Sequence, residues 1–413
     1  GTCVDCAVLS QCGRIVVAGT SDGRVIAWNC SEKEPVMFMD FEAHHPKSVH
    51  RVRMAVAKVA ITSDNLSVAS CGYDGRAFVW SLNSNPPSEI IAHSMPSAAR
   101  VNGLLHIAFA SNNRVAVTCG GRGEVAILDV STCRVRHLQG LQGTVLHACI
   151  SESSKYVAAC SSKGAAYIWP LEGDSHFQPR KFEVSTTHMH SCAFDPKEIN
   201  GFPKRLLLAT DSGEMIMINL EGEKLGNQLG SINARGFGAG AVRNVSFSRP
   251  DGRYILASGS GKEALVFDAD CLALLYKLDP SSAGAAHLHA TFSPDTTKVA
   301  VGMDELGMGK ALVWDIATGA PLTLLNRGGT DAEEEDSVPF GKFIAGTRKV
   351  LLSTSHGKLE VWNADKSTRL HRLAGMQGSM YNCAMSPCKS TVAVNTRNGK
   401  LFLWDVTGEA PEA

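Results

Sequence analysis

Short runs of apolar and small residues alternate with polar turns along almost the whole chain. Val299–Gly302 and Ile255–Gly259 are typical runs, and Ser293–Asp295 and Arg249–Gly252 are typical turns. Runs of this length, rich in Val, Ile and Ala and bounded by Gly, Pro, Asp and Ser, indicate short β-strands. The pattern therefore predicts an all-β protein.

One motif recurs through the chain: a glycine turn leads into an apolar strand that ends at Trp. Its clearest copies are Ser21–Asn29, Tyr73–Ser81 and Ser355–Asn363, and in weaker copies another apolar residue replaces the Trp. The copies end near Trp28, Trp80, Leu128, Trp169, Ile218, Phe267, Trp314, Trp362 and Trp404. A period of about 40 to 50 residues predicts a repeat architecture, because one such unit cannot bury its apolar faces alone.

The motif resembles the WD40 repeat, and the resemblance covers nearly the whole chain. It implies that residues 1–413 form a single all-β domain, a β-propeller of four-stranded blades. We count about nine repeats, while eight or seven blades, which are commoner in the family, stay open. The last copy ends at Trp404 without an outer strand, and in this family a segment from the other terminus often closes that gap. Such a segment would lie upstream of Gly1, so we expect the chain to be a piece of a longer one.

The resemblance also implies a structural hydrogen-bond network within a blade, made by a Trp, an Asp, a Ser or Thr and a His. In the second copy these residues are Trp80, Asp74, Ser70 and either His44 or His45. The other copies depart from the pattern, so we expect the complete network in the second blade.

Charge and cysteine content narrow the range of functions. The chain has 40 Lys and Arg against 40 Asp and Glu, so it lacks the overall positive field of a general nucleic-acid binder. It has no apolar run near the roughly 18 to 20 residues of a membrane span. Its 13 cysteines are scattered through apolar runs, unlike those of a small secreted protein. We therefore expect reduced core cysteines, a cytoplasmic or nuclear location and no membrane partner.

Potential metal ligands occur in isolated pairs, namely Cys3 and Cys6, His188 and His190, and His287 and His289. No second pair or carboxylate cluster accompanies any of them at the spacing of a metal site. The sequence also offers no specific set of nucleophile, base and orienting partner. We therefore predict no metal, no cofactor and no catalytic activity.

A polar residue recurs at one position of the predicted innermost strand. Counting back three residues from the last apolar residue of that strand gives Cys6, His106, His147, Asn244, His289 and Asn382. Innermost strands line the central channel of a propeller, so the last five of these residues are candidates for a polar ring. The alternative is that they form hydrogen bonds with neighbouring blades and bind nothing.

Basic residues recur at or near the turn that precedes the Trp strand. They are Arg24, Arg76, Arg122, Lys163, Lys262, Lys310, Lys358 and Arg397. Equivalent turns of a propeller converge on one face, so these residues would form a positive ring there, which we call the basic crown. They are candidate partner-binding residues, and the alternative is that they are simply solvated.

These features favour a non-catalytic scaffold or adaptor subunit of a macromolecular complex, which binds partner proteins or peptides on one face of the propeller. Two alternatives stay open. The crown could contact RNA in a ribonucleoprotein, or it could bind phosphorylated peptides in the substrate receptor of a protein-modifying complex.

Overall fold

The computed structural model describes residues 4–10, 14–30, 36–44, 55–84, 87–94, 103–171, 179–183, 187–221, 228–234, 240–260, 263–278, 287–293, 295–304, 311–325, 340–343, 349–353, 359–363, 368–373, 380–385, 391–396 and 401–405. These are called the described residues below.

The first four sheets each contain four antiparallel strands in chain order. Sheet 1 consists of β1 Val4–Leu9, β2 Ile15–Thr20, β3 Arg24–Asn29 and β4 Val36–Glu42. Sheet 2 consists of β5 Val56–Ile61, β6 Ser67–Gly72, β7 Arg76–Ser81 and β8 Ser88–Ser94. Sheet 3 consists of β9 Leu104–Phe109, β10 Val115–Gly120, β11 Val125–Asp129 and β12 Arg134–Leu138. Sheet 4 consists of β13 Val145–Ile150, β14 Tyr156–Ser161, β15 Ala165–Pro170 and β16 Arg180–Glu183.

The later sheets repeat this plan. Sheet 5 consists of β17 Met189–Phe194, β20 Arg205–Thr210, β21 Glu214–Asn219 and β22 Gln228–Asn233, with the short strands β18 Glu198–Ile199 and β19 Phe202–Pro203 inserted after β17. Sheet 6 consists of β23 Val242–Phe247, β24 Tyr254–Gly259, β25 Ala264–Asp268 and β26 Leu274–Leu278. Sheet 7 consists of β27 His287–Phe292, β28 Lys298–Asp304, β29 Ala311–Asp315 and β30 Pro321–Leu325. Sheet 8 consists of β31 Phe340–Phe343, β32 Lys349–Ser353, β33 Leu359–Asn363 and β34 Thr368–Leu373. In the described residues sheet 9 has three strands, β35 Met380–Met385, β36 Thr391–Thr396 and β37 Leu401–Asp405.

The strand register places the repeated Trp at the same point of each sheet. In sheet 2 the backbone of Trp80 on the third strand lies opposite Val68, the second residue of the second strand. The same pairing joins Trp28 to Val16, Leu128 to Ala116, Trp169 to Val157, Ile218 to Leu206, Phe267 to Ile255, Trp314 to Val299 and Trp362 to Val350. Trp404 lies on β37. The all-β fold of four-stranded blades that the repeats predict is therefore confirmed.

Among the described residues, the second and third strands of the sheets together provide most of the core. Every residue of β6, β10, β14 and β20 is buried, because these strands have a neighbour on each side and a sheet against each face. Strands β6, β10 and β14 are rich in Ala, Ser, Cys and Gly, whose small side chains let the sheets approach closely. Apolar clusters fill the spaces between sheets 1 and 2, sheets 2 and 3, and sheets 3 and 4.

The chain divides into two compact units. The first contains Gly1–Phe194, Glu198–Phe202 and Tyr381–Leu403, and the second contains Asp195–Lys197, Pro203–Met380 and Trp404–Ala413. Within the first unit β36 lies beside β1, so a late repeat is next to the first one. That residues 1–413 form a single domain, and that the outer strand of the last blade comes from upstream of Gly1, remain predictions.

Helical structure is almost absent from the part of the chain that the structure describes. It is found there as a 3₁₀ turn at Gly121–Gly123 and as one 3₁₀ residue, Ala234. A helix long and apolar enough to cross a lipid bilayer is not found among these residues.

Candidate functional site

Three side chains of the second repeat form a buried hydrogen-bond network. The Nε2 atom of His44 lies 2.7 Å from Oγ of Ser70, and its Nδ1 atom lies 2.9 Å from Oδ1 of Asp74. The same carboxylate oxygen accepts the backbone N–H of Arg76 at 3.0 Å, which fixes the turn before β7. Ser70, His44 and Asp74 are all buried. The sequence left His44 and His45 open, and the geometry selects His44, while His45 lies outside the described residues.

Trp80 joins this network by stacking. Its ring lies 5.5 Å from the ring of Phe78 and 6.2 Å from that of Phe41, nearly parallel to both. Phe78 in turn contacts the His44 imidazole edge-on at 5.0 Å. Among the described residues Trp80 forms no side-chain hydrogen bond to the other three members. In the strand register Ser70 lies opposite Phe78, two residues away from Trp80. The network therefore consists of a hydrogen-bonded triad with an aromatic stack beside it.

Replacing Asp74 tests the triad. We expect Asp74→Ala to lower the free energy of unfolding by about 1 to 3 kcal/mol, because it leaves Nδ1 of the buried His44 imidazole without its hydrogen-bond partner. Asp22 is the matched control: it occupies the same turn position in sheet 1, is half-buried, and bonds to Thr20 with no histidine. Urea unfolding followed by circular dichroism should show a clearly smaller loss for Asp22→Ala. Equal losses at both positions would contradict a specific contribution of His44.

Four of the eight crown residues are described, and all four lie in the first unit. Arg24 and Arg76 are the first residues of β3 and β7, and Arg122 and Lys163 lie in the turns that lead into β11 and β15. They therefore occupy the same end of the third strand in four successive sheets. Lys262, Lys310, Lys358 and Arg397 lie outside the described residues.

These four residues differ in solvent exposure and in whether an acidic side chain already pairs with them. The guanidinium of Arg24 donates to Asp40 at 2.9 Å and to Glu42 at 3.1 Å, so strand β4 of its own sheet already supplies its counter-charge. Arg76 is half-buried, whereas Arg122 and Lys163 are exposed. Sheets 3 and 4 thus present exposed crown charge, whereas the crown charge of sheet 1 is already paired with Asp40 and Glu42.

Arg122 lies at the rim of a surface groove with a volume of about 410 Å³. The groove is lined by Arg122–Val125 and His137–Leu141. Gly123 makes its shape possible, because its φ is 79° and a Cβ there would lie 1.9 Å from the Leu141 carbonyl oxygen. The far wall is fixed by Trp169, whose Nε1 donates to the Gln139 carbonyl at 3.3 Å. Arg122 itself has a φ of 59°, so this turn holds a basic side chain in a left-handed conformation.

A second group of basic residues lies on the first strands. His106 on β9 and His147 on β13 have ring centroids 5.0 Å apart. Both pKa values are lowered, first by burial and then by the nearby charge of Lys58 on β5, and that of His147 falls to about 4. Burial also lowers the pKa of Lys58. We call Lys58, His106 and His147 the inner basic cluster.

The other predicted members of the polar ring are placed as follows. Asn244 is half-buried on β23 of the second unit, opposite Ser258. His289 lies on β27 and Asn382 on β35, and their side chains are outside what the structure describes. Lys58 was missed, although counting back three residues from Ile61, the last apolar residue of β5, gives this position.

A buried ion network in the second unit was also missed. The Arg205 guanidinium donates to Asp195 at 2.6 Å, to Asp270 at 2.9 Å and to the carbonyl oxygens of Ala269 and Gly252. Arg205 is 3% exposed and Asp195 is completely buried. A charged residue at the start of an apolar strand usually indicates a solvated strand end, so the sequence carried no signal for this network.

The described ranges contain free cysteines but no grouped metal ligands. Nine cysteines in these ranges are free thiols, and Cys71, Cys119, Cys160 and Cys192 among them are buried, as the scattered pattern predicts. Cys149 is half-buried, and Cys383 lies in β35 without a described side chain. Within the same ranges, no three His, Cys, Asp or Glu side chains are grouped so that they could hold a metal ion.

Comparison with known proteins gives the same fold. Residues 39–81, from β4 to β7, match the family "WD domain, G-beta repeat". Protein LST8 homolog of Drosophila melanogaster is 27% identical over 176 residues, which is 40% of this chain and 52% of that protein. The match thus spans about half the length of this relative.

Two solved structures are similar over nearly their whole length. They are the C-terminal WD40 domain of Sif2, with a TM-score of 0.60 at 10% identity, and the computationally designed Ika8 protein, with a TM-score of 0.58 at 16% identity. Each comparison covers 98% of this chain and 96% of the other. Taken with the common register of the third strands, they show that the chain has the fold of a WD40-type β-propeller, in which residues 39–81 match the WD repeat itself.

Proposed function

We propose that this chain is a non-catalytic scaffold subunit that binds the acidic segment of a partner protein through sheets 3 and 4 of its first unit. The observation that carries the proposal is the exposed Arg122 at the rim of the 410 Å³ groove. Protein binding at the ends of propeller blades is the general use of this fold, and the described part of the chain shows no metal-binding group.

Charge and shape support an extended acidic ligand. Lys163 extends the positive surface from sheet 3 to sheet 4, and the exposed His137 and Gln139 offer hydrogen-bonding groups inside the groove. Arg24 is occupied by Asp40 and Glu42 and contributes little. We therefore propose that the partner contacts Arg122 and Lys163, while the eight-residue crown as a whole stays a prediction. The free thiols support a cytoplasmic or nuclear location for such a complex.

Binding of a short fluorescent Glu-rich peptide tests the proposal. We expect the double variant Arg122→Ala, Lys163→Ala to bind it at least about tenfold more weakly, since hydrogen bonds to charged groups contribute roughly 1.5 to 3 kcal/mol each. The control Arg24→Ala should bind almost normally, because its charge is already paired. Equal losses in both variants would contradict a site at sheets 3 and 4.

The same assay separates the alternatives. A phosphoserine peptide that binds far more tightly than the Glu-rich peptide would favour a phosphopeptide receptor. Single-stranded RNA that binds most tightly, with an affinity that falls steeply as salt rises, would favour a ribonucleoprotein subunit.

A further inference from the structure

The three members of the inner basic cluster occupy equivalent positions. Lys58 lies opposite Cys71, His106 opposite Cys119, and His147 opposite Cys160, each on the first strand of its sheet next to a register shift. Strands β5, β9 and β13 are neighbours within the first unit. The repeat therefore brings three basic side chains from three sheets to one place.

This cluster lacks a counter-charge among the described residues. On β5, β9 and β13 and the strands β1, β2, β6, β10, β14 and β17 packed against them, Asp5 is the one described carboxylate. The groups that act on the pKa of Lys58 are the thiols of Cys71, Cys119 and Cys6, and Asp5 is not among them. The remaining titratable groups on these strands are Cys149, Tyr156, Cys160, His190 and Cys192. Lys58 is thus a largely desolvated cation without a carboxylate partner, an arrangement that costs free energy.

The histidines carry unused hydrogen-bonding capacity. Nδ1 of His106 is buried and has no hydrogen-bond partner among the described residues. Nδ1 of His147 contacts the Cys192 sulfur at 3.7 Å, which is a weak interaction. All three cluster residues are nevertheless half-buried and keep partial solvent exposure.

We propose that Lys58, His106 and His147 form a binding site for a small oxyanion of the size of phosphate. An oxyanion would supply the missing negative charge, accept from the Lys58 ammonium, and accept from imidazole N–H groups of both histidines. A metal cation is disfavoured there because Lys58 would repel it. The site uses first-strand residues, so it is independent of the partner-binding groove at Arg122.

Inorganic phosphate is the probe, with sodium chloride at equal ionic strength as the reference. We expect phosphate to raise the melting temperature of the parent protein where chloride does not, and calorimetry to give a saturable dissociation constant. Lys58→Met should weaken phosphate binding by about tenfold or more, which corresponds to the loss of one charged hydrogen bond. Lys155→Met removes an exposed lysine of the same unit that belongs to neither proposed site, and it should leave phosphate binding unchanged.

Histidine titration by NMR provides a second readout that needs no variant. Without phosphate the pKa of His147 is expected near 4. A bound oxyanion favours the charged imidazole, so phosphate should raise the pKa values of His106 and His147 more than chloride does at equal ionic strength. Phosphate effects equal to those of chloride, or unshifted His106 and His147 resonances, would overturn the proposal even if Lys58→Met does not fold.

Discussion

Replacing Arg205 by Met is expected to lower the free energy of unfolding of the second unit by about 3 to 5 kcal/mol. The substitution keeps an apolar stem of similar length but removes the cation that faces the completely buried Asp195. It also leaves the carbonyl oxygens of Ala269 and Gly252 without their donor, and it removes the cation lying 5.7 Å from the Phe247 ring. Urea unfolding followed by circular dichroism measures the loss.

Two further variants show whether the uncompensated charge of Asp195 causes the loss of stability in Arg205→Met. Arg253→Met removes an exposed arginine that lies over the Tyr254 ring in the same unit, and it should cost less than about 1 kcal/mol. The double variant Arg205→Met, Asp195→Asn removes both charges and should recover a substantial part of the stability. If the double variant is no more stable than Arg205→Met alone, then lost packing and not an uncompensated carboxylate explains the effect.

The fold could be predicted from the sequence because its signal is repeated. A copy of the motif is a weak signal on its own when another residue replaces Trp, as at Leu128 or Ile218. The regular spacing of the copies nevertheless predicts that these residues lie on third strands, as they do. The register then agrees from sheet to sheet, with Trp28, Trp80 and Trp169 each opposite the second residue of a buried strand. Periodicity therefore carries the architecture even where a single repeat does not match the family.

The sites could be predicted only in part, because pairing partners are distant in the chain. The position of Arg24 could be read from its turn, but its bonds to Asp40 and Glu42 depend on the β3–β4 register. His44 could be distinguished from His45 only by its distances to Ser70 and Asp74. Arg205 finds partners up to 65 residues away, and no local pattern indicates such a network.

Lys58 was not among the predicted members of the polar ring, although the rule that selects His106 and His147 also selects Lys58. Imidazoles and amides are the side chains expected in a polar ring. A lysine in an isolated strand instead indicates a solvated face of the sheet. The repeat changes that expectation, since the equivalent position in sheets 3 and 4 holds a largely buried imidazole. Equivalent positions of a repeat protein are therefore better compared with one another than judged singly.

Replacing Trp80 by Ala is the second substitution with a large expected effect. Trp80 is 2% exposed and packs in the cluster between sheets 1 and 2, with its ring stacked on Phe41 of β4 and Phe78 of β7. Deleting a buried indole leaves a cavity, and such changes cost about 3 to 5 kcal/mol. We expect a loss of that size in urea unfolding followed by far-ultraviolet circular dichroism.

Trp28 is the matched control for Trp80, because both lie at the same register position of a third strand. Trp28 is half-buried and packs against a small cluster of Leu9, Val16 and Cys30, so Trp28→Ala removes less apolar area from the core. Trp28→Ala should lower the free energy of unfolding clearly less than Trp80→Ala does. Trp80→Phe should give a loss between those of the two Ala variants, because the stack on Phe41 and Phe78 can re-form in part. Since Trp80 forms no hydrogen bond within the described network, His44, Ser70 and Asp74 should stay paired in Trp80→Phe. A Trp28→Ala loss as large as that of Trp80→Ala would show that register position, and not burial in the stack, determines the contribution of the repeated Trp.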